Sequence, residues 1–185
     1  MEISTPGRIC LFGEHQDYLG LPVIAMAISL RANIVGEKRQ DRKIIIHKPD
    51  LGKKEIFSLD NLDYTHSRDY FKSGIKTCIN MGLSFEKGFE CEIKSNIPIQ
   101  AGTSSSSAIV VSWINFLAQI ADKKPKWSLE KIGKLAYQTE CVEFGEPGGM
   151  MDQYITSCGG MLLIKSEPKV TVEKIDSELG SFVLG

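Results

Sequence analysis

Residues 98–112 read PIQAGTSSSSAIVVS, in which one glycine and four consecutive serines lead directly into branched apolar residues. A flexible linker is excluded, because polar flexible segments do not pass straight into an apolar run such as residues 108–111. Two interpretations remain: one serine caps a buried helix, or the N-terminus of that helix binds an anion. The second interpretation requires partner residues elsewhere in the chain.

The anion-binding interpretation follows from the order of residue types in this stretch. Gly102 lets the backbone approach a ligand closely, and the first turn of a helix presents unpaired N–H groups at the positive end of its dipole. Hydroxyls beside such a turn could hold phosphate oxygens or a Mg²⁺ ion. The chain contains no G-x-x-x-x-G-K-[ST] sequence, so an ordinary P-loop is excluded.

Composition limits the classes of function. The 185 residues are 42% hydrophobic, which suits one packed domain over residues 1–185, and the net charge of -1 gives no reason to expect nucleic acid or an anionic membrane as a partner. The five cysteines form no CxxC pair, so neither a disulfide framework nor a zinc site is indicated. Because no signal peptide or membrane-spanning run is evident, we expect a cytoplasmic protein.

The hydrophobic pattern predicts mostly strands in the first half of the chain and mostly helices in the second. The predicted strands cover residues 8–12, 28–35, 43–47, 89–94 and 161–165, with the second and third paired as an antiparallel hairpin. The predicted helices cover residues 69–81, 104–121 and 129–144, with a further short helix before the last strand. The terminal SFVLG, residues 181–185, is typical of a strand.

Two further segments concentrate ionisable residues. One is TPGRICLFGEHQDYLG, residues 5–20, whose charged residues border an apolar strand and are hard to explain as solvated surface. The other holds Asp152, which follows a glycine-rich turn, with Glu140 twelve residues before it. Transfer of a phosphoryl group needs Mg²⁺, an acceptor hydroxyl held in line and stabilisation of charge. Taken singly, Asp152 could instead be a helix cap, Arg8 a surface arginine and His15 a buried histidine.

Together the three segments resemble the GHMP kinase superfamily, which includes galactokinase, homoserine kinase, mevalonate kinase and phosphomevalonate kinase. TPGRICLFGEHQDYLG resembles the first motif of the family in its galactokinase form. IPIQAGTSSSSA resembles the phosphate-binding motif, and GEPGGMMDQYITSCGG resembles the galactokinase segment with the catalytic aspartate. The order and spacing of the three motifs make a chance match improbable.

The resemblance implies a role for each matching residue. Arg8 and Asp152 would be catalytic: Asp152 accepts or orients the proton of the attacking hydroxyl, and Arg8 balances charge on the transferring group. The residues expected to bind the triphosphate are Gly102, Thr103, Ser104, Ser105, Ser106 and Ser107. The residues expected to meet Mg²⁺ are Ser106 and Glu140. The residues expected to bind the acceptor are Glu14, His15, Asp17, Tyr18 and Asp152.

The resemblance also implies a fold and an activity. The fold would be α+β, the GHMP kinase N-terminal domain, in which a mixed sheet packs with helices and contains a left-handed β-α-β unit. In the family a C-terminal ferredoxin-like domain follows, which we expect to be absent from these 185 residues. The implied activity is transfer of the γ-phosphate of ATP, with Mg²⁺, to the anomeric hydroxyl of a monosaccharide. The expected partner is the C-terminal half of the kinase, without which we expect little turnover.

Two alternatives stay open. A mevalonate-type kinase is less favoured, because the Glu-His-x-Asp-Tyr cluster and the Met-Asp-Gln string suit a sugar. A non-catalytic sugar and ATP sensor would have no chemical need for Arg8, Asp152 and the serines. Cys10, Gln16 and Gly148 depart from the galactokinase pattern on the sugar side, which leaves the identity of the sugar open.

Overall fold

The computed structural model describes residues 1–177 and 179–181 of the chain. The strands are β1 (Glu2–Phe12), β2 (Val23–Lys38), β3 (Lys43–Lys48), β4 (Lys53–Ser58), β5 (Phe89–Ser95), β6 (Met161–Lys165) and β7 (Thr171–Lys174). The helices are α1 (Tyr70–Asn80), α2 (Ser105–Ile120), α3 (Leu129–Tyr137) and α4 (Met151–Cys158). The strand predicted over residues 181–185 lies, apart from Ser181, outside the described residues.

The seven strands form one mixed sheet built around the long strand β2. β1 pairs antiparallel with β2 over most of the length of β1. β6 pairs antiparallel with the first part of β2, and β5 pairs antiparallel with the second part of β2. A residue within a strand can pair with one strand on each side, so β5 and β6 both pair with the side of β2 that is opposite β1. β3 is parallel to β5 and antiparallel to β4, which confirms the mixed sheet. The left-handed crossover stays a prediction.

The predicted hairpin between the second and third strands is wrong, because β5 lies between β2 and β3. The chain connecting β2 to β3 crosses the start of β5 at Gly88, which donates to the Asp41 carbonyl and accepts from the Arg39 amide. A Cβ atom on Gly88 would stand 1.9 Å from the Lys43 carbonyl oxygen, so only glycine fits this crossing. Long-range pairing therefore overrides the local hairpin signal.

The first two helices agree with their predicted ranges to within one residue at each end. Asp69 caps α1 by accepting from the Lys72 amide, and α2 begins one residue after Ser104. A glycine disfavours a helix, so Gly74 argued against the predicted α1, but helix packing explains why a glycine stands there. A Cβ there would stand 2.6 Å from the Trp113 ring, so the glycine lets α1 approach α2 closely.

The helix predicted over residues 129–144 is not α-helical throughout. Ser128 caps it as predicted, but α3 ends at Tyr137 and continues as a single π-helical turn, Gln138–Val142. This wider turn buries Thr139 and Glu140 and leaves Val142, which was predicted on the apolar stripe, 59% exposed. π-Helical turns occur preferentially at functional sites, and this one turns Glu140 inward.

Two apolar clusters hold the helices on the sheet. The larger one joins α1, α2 and α3 to β2, β3 and β5 around Phe89, Trp113 and Phe116. The smaller one joins α4 to β2 and β6 through Ile155 and Ile164. It fixes α4 beside β1, so Asp152 on α4 and Arg8 on β1 become neighbours. Among the described residues, no helix combines the length and apolarity that crossing a bilayer requires.

Candidate active site

Arg8 connects the three motifs and is only 5% exposed. Its Nε donates to Asp152 Oδ1 at 2.8 Å, its Nη1 to the Gly102 carbonyl at 2.6 Å and its Nη2 to Glu14 Oε1 at 3.4 Å. Burial opposes the charge of Arg8, but the carboxylates of Asp152 and Glu14 outweigh it and raise the pKa of the guanidinium. Arg8 is thus a buried ion-pair residue and not a surface arginine.

The serine loop adopts a backbone that is open to an anion. Gln100, Gly102 and Ser104 all have positive φ, at 59°, 64° and 55°. Ser104 makes no capping bond to α2, and its Oγ is buried without a partner among the described residues. The simple capping interpretation therefore fails for Ser104, and the first turn of α2 keeps N–H groups for a ligand.

The side chains of the loop serve different purposes. The Thr103 hydroxyl donates to the Pro98 carbonyl, and the Ser105 hydroxyl lies 3.5 Å from the Ile97 carbonyl, so both stabilise the loop itself. Ser106 is exposed, whereas Ser107 is buried and receives a hydrogen bond from Gln153. Any contact of Thr103 with phosphate would therefore involve its backbone, while the exposed Ser106 side chain faces the cavities described below.

Asp152 lies in the first turn of α4, where it pairs with Arg8 and caps nothing. The N-terminal backbone of α4 is instead held by Asp17, whose Oδ2 accepts from the Met151 amide at 2.9 Å. Asp17 is buried, and its carboxylate packs directly on Gly149, where a Cβ would stand 1.8 Å from Oδ2. Asp17 thus orients the turn that carries Asp152, in addition to lining the cavity described below.

Glu140 is 7% exposed and accepts from Gln153 Nε2 at 2.7 Å through Oε2. Burial raises the pKa of its carboxyl, although the hydrogen bonds from Gln153, Ser107 and Ser106 act in the opposite direction. Among residues 1–177 and 179–181 it has no cationic partner. A buried carboxylate next to hydroxyls and without a counter-charge is poised to receive a cation.

A cavity of about 320 Å³ brings most of the predicted residues together. The predicted residues that line it are Arg8, Glu14, His15, Asp17, Tyr18, Ser106, Ser107, Glu140 and Asp152. His15 is exposed, with a positive φ of 59°, so it is not a buried histidine. Tyr18 is also exposed and contributes to the cavity wall instead of to a core.

The remaining predicted loop residues line a second cavity of about 390 Å³. Gly102, Thr103, Ser104 and Ser105 belong to it, and Pro98, Ile99 and Ile109 add an apolar side. Ser106 lines both cavities. The two spaces therefore meet at the first turn of α2, beside the Arg8–Asp152 pair.

Sequence reasoning missed several residues of the first cavity. Arg68 and Glu146 form a bidentate ion pair, with N–O distances of 2.6 and 2.5 Å, between two loops that line it. Tyr70 lies beside Glu140, and burial together with that carboxylate raises the pKa of its hydroxyl to about 12. Gln153 is 2% exposed. Gln153 and Glu146 had a signal, since both lie in the third motif, whereas Arg68 and Tyr70 lie outside the three motifs.

The donor set at Ser106 and Glu140 suits Mg²⁺. Both side chains offer oxygen, which this hard cation prefers, and it is usually held by one or two protein groups plus phosphate oxygens and water. The described residues contain no cluster of three or more His, Cys, Asp or Glu side chains that could form a complete protein cage. A site that the nucleotide helps to complete fits this arrangement.

Two family descriptions match the chain. "GHMP kinases N terminal domain" matches residues 69–160, which carry the serine loop and Asp152. "Galactokinase galactose-binding signature" matches residues 2–38, which carry Arg8 and the acidic cluster after it. Together the two matches cover well over half of the chain.

Individual proteins of known sequence or structure are similar as well. The galactokinase of Staphylococcus carnosus is 33% identical over 187 residues, covering 97% of this chain and 48% of the relative. The crystal structure of Lactococcus lactis galactokinase complexed with galactose has a TM-score of 0.81 and 26% identity, covering 95% of this chain and 47% of that one. The mevalonate kinase of Methanococcus jannaschii has a TM-score of 0.81 and 29% identity, covering 96% and 56%.

The chain spans about half the length of the curated relatives that it matches. Within that half, the serine loop and the Arg8–Asp152 pair lie in the segments that the family descriptions match. The chain belongs to the GHMP kinases, with the fold of their N-terminal domain and the galactose-binding signature of the galactokinase-like branch.

Proposed function

We propose that this chain is the ATP- and acceptor-binding domain of a sugar kinase. The observation that carries the proposal is the position of Arg8, which bonds the Asp152 carboxylate and the Gly102 carbonyl at once. One buried side chain thereby connects the candidate base to the candidate phosphate loop. Phosphoryl transfer depends mainly on such positioning and on charge stabilisation, so this link is what the chemistry would need.

In the proposed reaction the acceptor lies in the first cavity and the triphosphate lies along the serine loop. Asp152 accepts the proton of the acceptor hydroxyl as that oxygen forms a bond to the γ-phosphorus. The bond between this phosphorus and the oxygen that bridges to the β-phosphate breaks, and ADP leaves with the electron pair. Arg8 and the N-terminus of α2 stabilise the negative charge that is spread over the transferring group.

Ser106 and Glu140 would hold Mg²⁺, which when bound neutralises phosphate charge. The burial of Glu140, which has no cationic partner among the residues that the structure describes, supports this assignment. Gly102 to Ser107 would contact the triphosphate through backbone N–H groups and, at Ser106, through the hydroxyl. The apolar side of the second cavity would accommodate the less polar part of the nucleotide.

The charges around the first cavity favour an uncharged polyol as acceptor. Five carboxylates line it, whereas its two arginines are already paired, Arg8 with Asp152 and Glu14, and Arg68 with Glu146. An acidic acceptor would meet net negative charge, but each free carboxylate oxygen can accept from a sugar hydroxyl. The match to the galactose-binding signature supports a monosaccharide, and by resemblance its anomeric hydroxyl.

A mevalonate-type kinase is the second candidate. The crystal structure of the Methanococcus jannaschii mevalonate kinase matches this chain as well as the galactokinase structure does, at a TM-score of 0.81. The two candidates differ in the charge of the acceptor, so the test is a direct comparison of acceptors. A sensor without catalysis would bind sugar and ATP but release no ADP.

The experiment compares binding and turnover. Calorimetry of the 185-residue chain with ATP, Mg²⁺ and a panel of neutral sugars, with mevalonate alongside, identifies the acceptor class. Release of ADP and ³¹P NMR of the product, in this chain and in the complete reading frame, then identify the phosphorylated hydroxyl. We expect binding of a sugar, little turnover by the 185 residues alone, and a sugar 1-phosphate from the complete protein. Selective binding of mevalonate, or binding without ADP release from the complete protein, would contradict the proposal.

A further inference from the structure

Gln153 occupies an unusual position between the two chemical groups of the site. Gln153 follows Asp152 on α4 and is 2% exposed. Whereas Asp152 pairs with Arg8, the Gln153 side chain contacts Glu140 and Ser107. Its Nε2 donates to Glu140 Oε2 at 2.7 Å and lies 3.4 Å from Ser107 Oγ. The amide therefore connects α4, the π-helical turn and the first turn of α2 at one point.

The oxygen of the same amide lacks a hydrogen-bond donor within the described part of the chain. Gln153 Oε1 is buried and accepts no hydrogen bond from any residue that the structure describes. Burying an amide oxygen without a donor destabilises a protein, so the retention of this oxygen inside a site calls for an explanation. The donor could be one that arrives with the ligand, such as a water molecule that accompanies a hydrated cation.

We propose that Gln153 is a positioning residue for the cation site formed by Glu140 and Ser106. Its Nε2 fixes one oxygen of the Glu140 carboxylate, which leaves the other oxygen for the cation, and its Oε1 accepts from a water that the cation brings. Because Gln153 and Asp152 are adjacent on α4, the same helix sets the candidate base and the orientation of the cation ligand. This inference rests on the proposed function.

The role differs from that of an ordinary core amide. A glutamine that only filled space would affect folding, and its replacement would change nucleotide binding equally with and without Mg²⁺. Replacing a positioning residue would instead change how much Mg²⁺ strengthens nucleotide binding. Replacing groups that orient metal ligands commonly weakens metal affinity 10- to 100-fold.

The test measures ATP affinity of the 185-residue chain by calorimetry, once with Mg²⁺ and once with EDTA. The ratio of the two affinities reports the cation site without any need for turnover. In Gln153→Met, which keeps the side-chain length but lacks the amide, we expect this ratio to fall at least tenfold. Thr156→Val is the matched control, since it also removes a buried hydrogen bond from α4, that of the Thr156 hydroxyl to the Asp152 carbonyl. Its ratio should stay within twofold of wild type.

Glu140→Gln separates the possible failures. If the wild-type ratio is large and Glu140→Gln abolishes it, the cation site stands, and an unchanged ratio in Gln153→Met then overturns the positioning role alone. If wild type binds ATP equally with and without Mg²⁺, the proposed cation site fails, and the role of Gln153 fails with it. A ratio that falls equally in Gln153→Met and Thr156→Val would show a general effect of α4 packing and would also overturn the inference.

Discussion

Replacing Gly149 with alanine should disturb the site through a single contact. The added Cβ would stand 1.8 Å from Asp17 Oδ2, far inside van der Waals contact, so the Asp17 carboxylate must move. That carboxylate is buried and holds the Met151 amide at 2.9 Å, at the start of the helix that carries Asp152. The neighbouring Gly148 offers a matched control, because a Cβ there meets only Cys141 Sγ, at 3.9 Å.

The size of the effect follows from what Asp17 loses. A hydrogen bond to a charged group contributes about 1.5–3 kcal/mol, and forced repacking of a buried site adds about 1–3 kcal/mol. We therefore expect Gly149→Ala to lower the free energy of unfolding by about 2.5–6 kcal/mol. Gly148→Ala should change it by less than about 1 kcal/mol, because its added methyl group makes an ordinary contact.

Urea unfolding of both variants measures these values, and a double-mutant cycle with Asp17→Ala identifies the cause. If the clash with Asp17 is the mechanism, Gly149→Ala should lose little further stability once the Asp17 carboxylate is absent. Acceptor affinity should fall more than ATP affinity, since Asp17 lines only the first cavity. Equal stability of Gly149→Ala and Gly148→Ala, or full additivity with Asp17→Ala, would refute this reasoning.

Three further variants test other parts of the account. Arg8→Lys keeps the positive charge but loses the planar guanidinium that can bond two partners at once. We therefore expect kcat of the complete protein to fall at least tenfold while ATP affinity changes less than threefold. A kcat equal to that of wild type would count against the role of Arg8. Burial raises the pKa of Glu140, so stability of the nucleotide-free chain should decline as pH rises above 4.5, and urea titrations of Glu140→Gln should lack that decline. Burial raises the pKa of Asp69, but hydrogen bonding to the Thr65 amide and pairing with Lys72 outweigh it and lower that pKa from 3.8. The contribution of Asp69 to stability is therefore lost as pH falls below about 4. Asp69→Asn should lose about 1–3 kcal/mol at pH 7 and show a shallower acid transition by circular dichroism.

The local elements were predictable because their signals lie within single segments. The apolar run after the serines specifies a buried helix, and Ser128 marks the start of α3 as an N-cap. The motifs also predicted which residues share a cavity, since their resemblance to a known family carries long-range information. Arg8, Ser106 and Asp152 come together although they lie on a strand, a helix terminus and another helix.

The features that the sequence did not predict depend on information that local sequence patterns do not contain. The insertion of β5 between β2 and β3 depends on strand pairing across about fifty residues and on the glycine at position 88. No periodicity separates one π-helical turn from an α-helix, so the inward rotation of Glu140 was invisible. The pair of Arg68 with Glu146 joins two loops distant in sequence, and although Glu146 lies in the third motif, no local pattern indicates Arg68 as its partner.

The transfer rate of Asp152→Asn, measured with binding in the same variant, tests the central claim most directly. Asparagine keeps the shape of the side chain but cannot accept the proton of the acceptor hydroxyl, and a general base contributes about 100- to 10,000-fold to a rate. In the complete protein we predict that ATP and sugar still bind within about fivefold of wild type while transfer of the γ-phosphate falls at least 100-fold. Transfer by Asp152→Asn at a rate close to that of wild type would contradict the account.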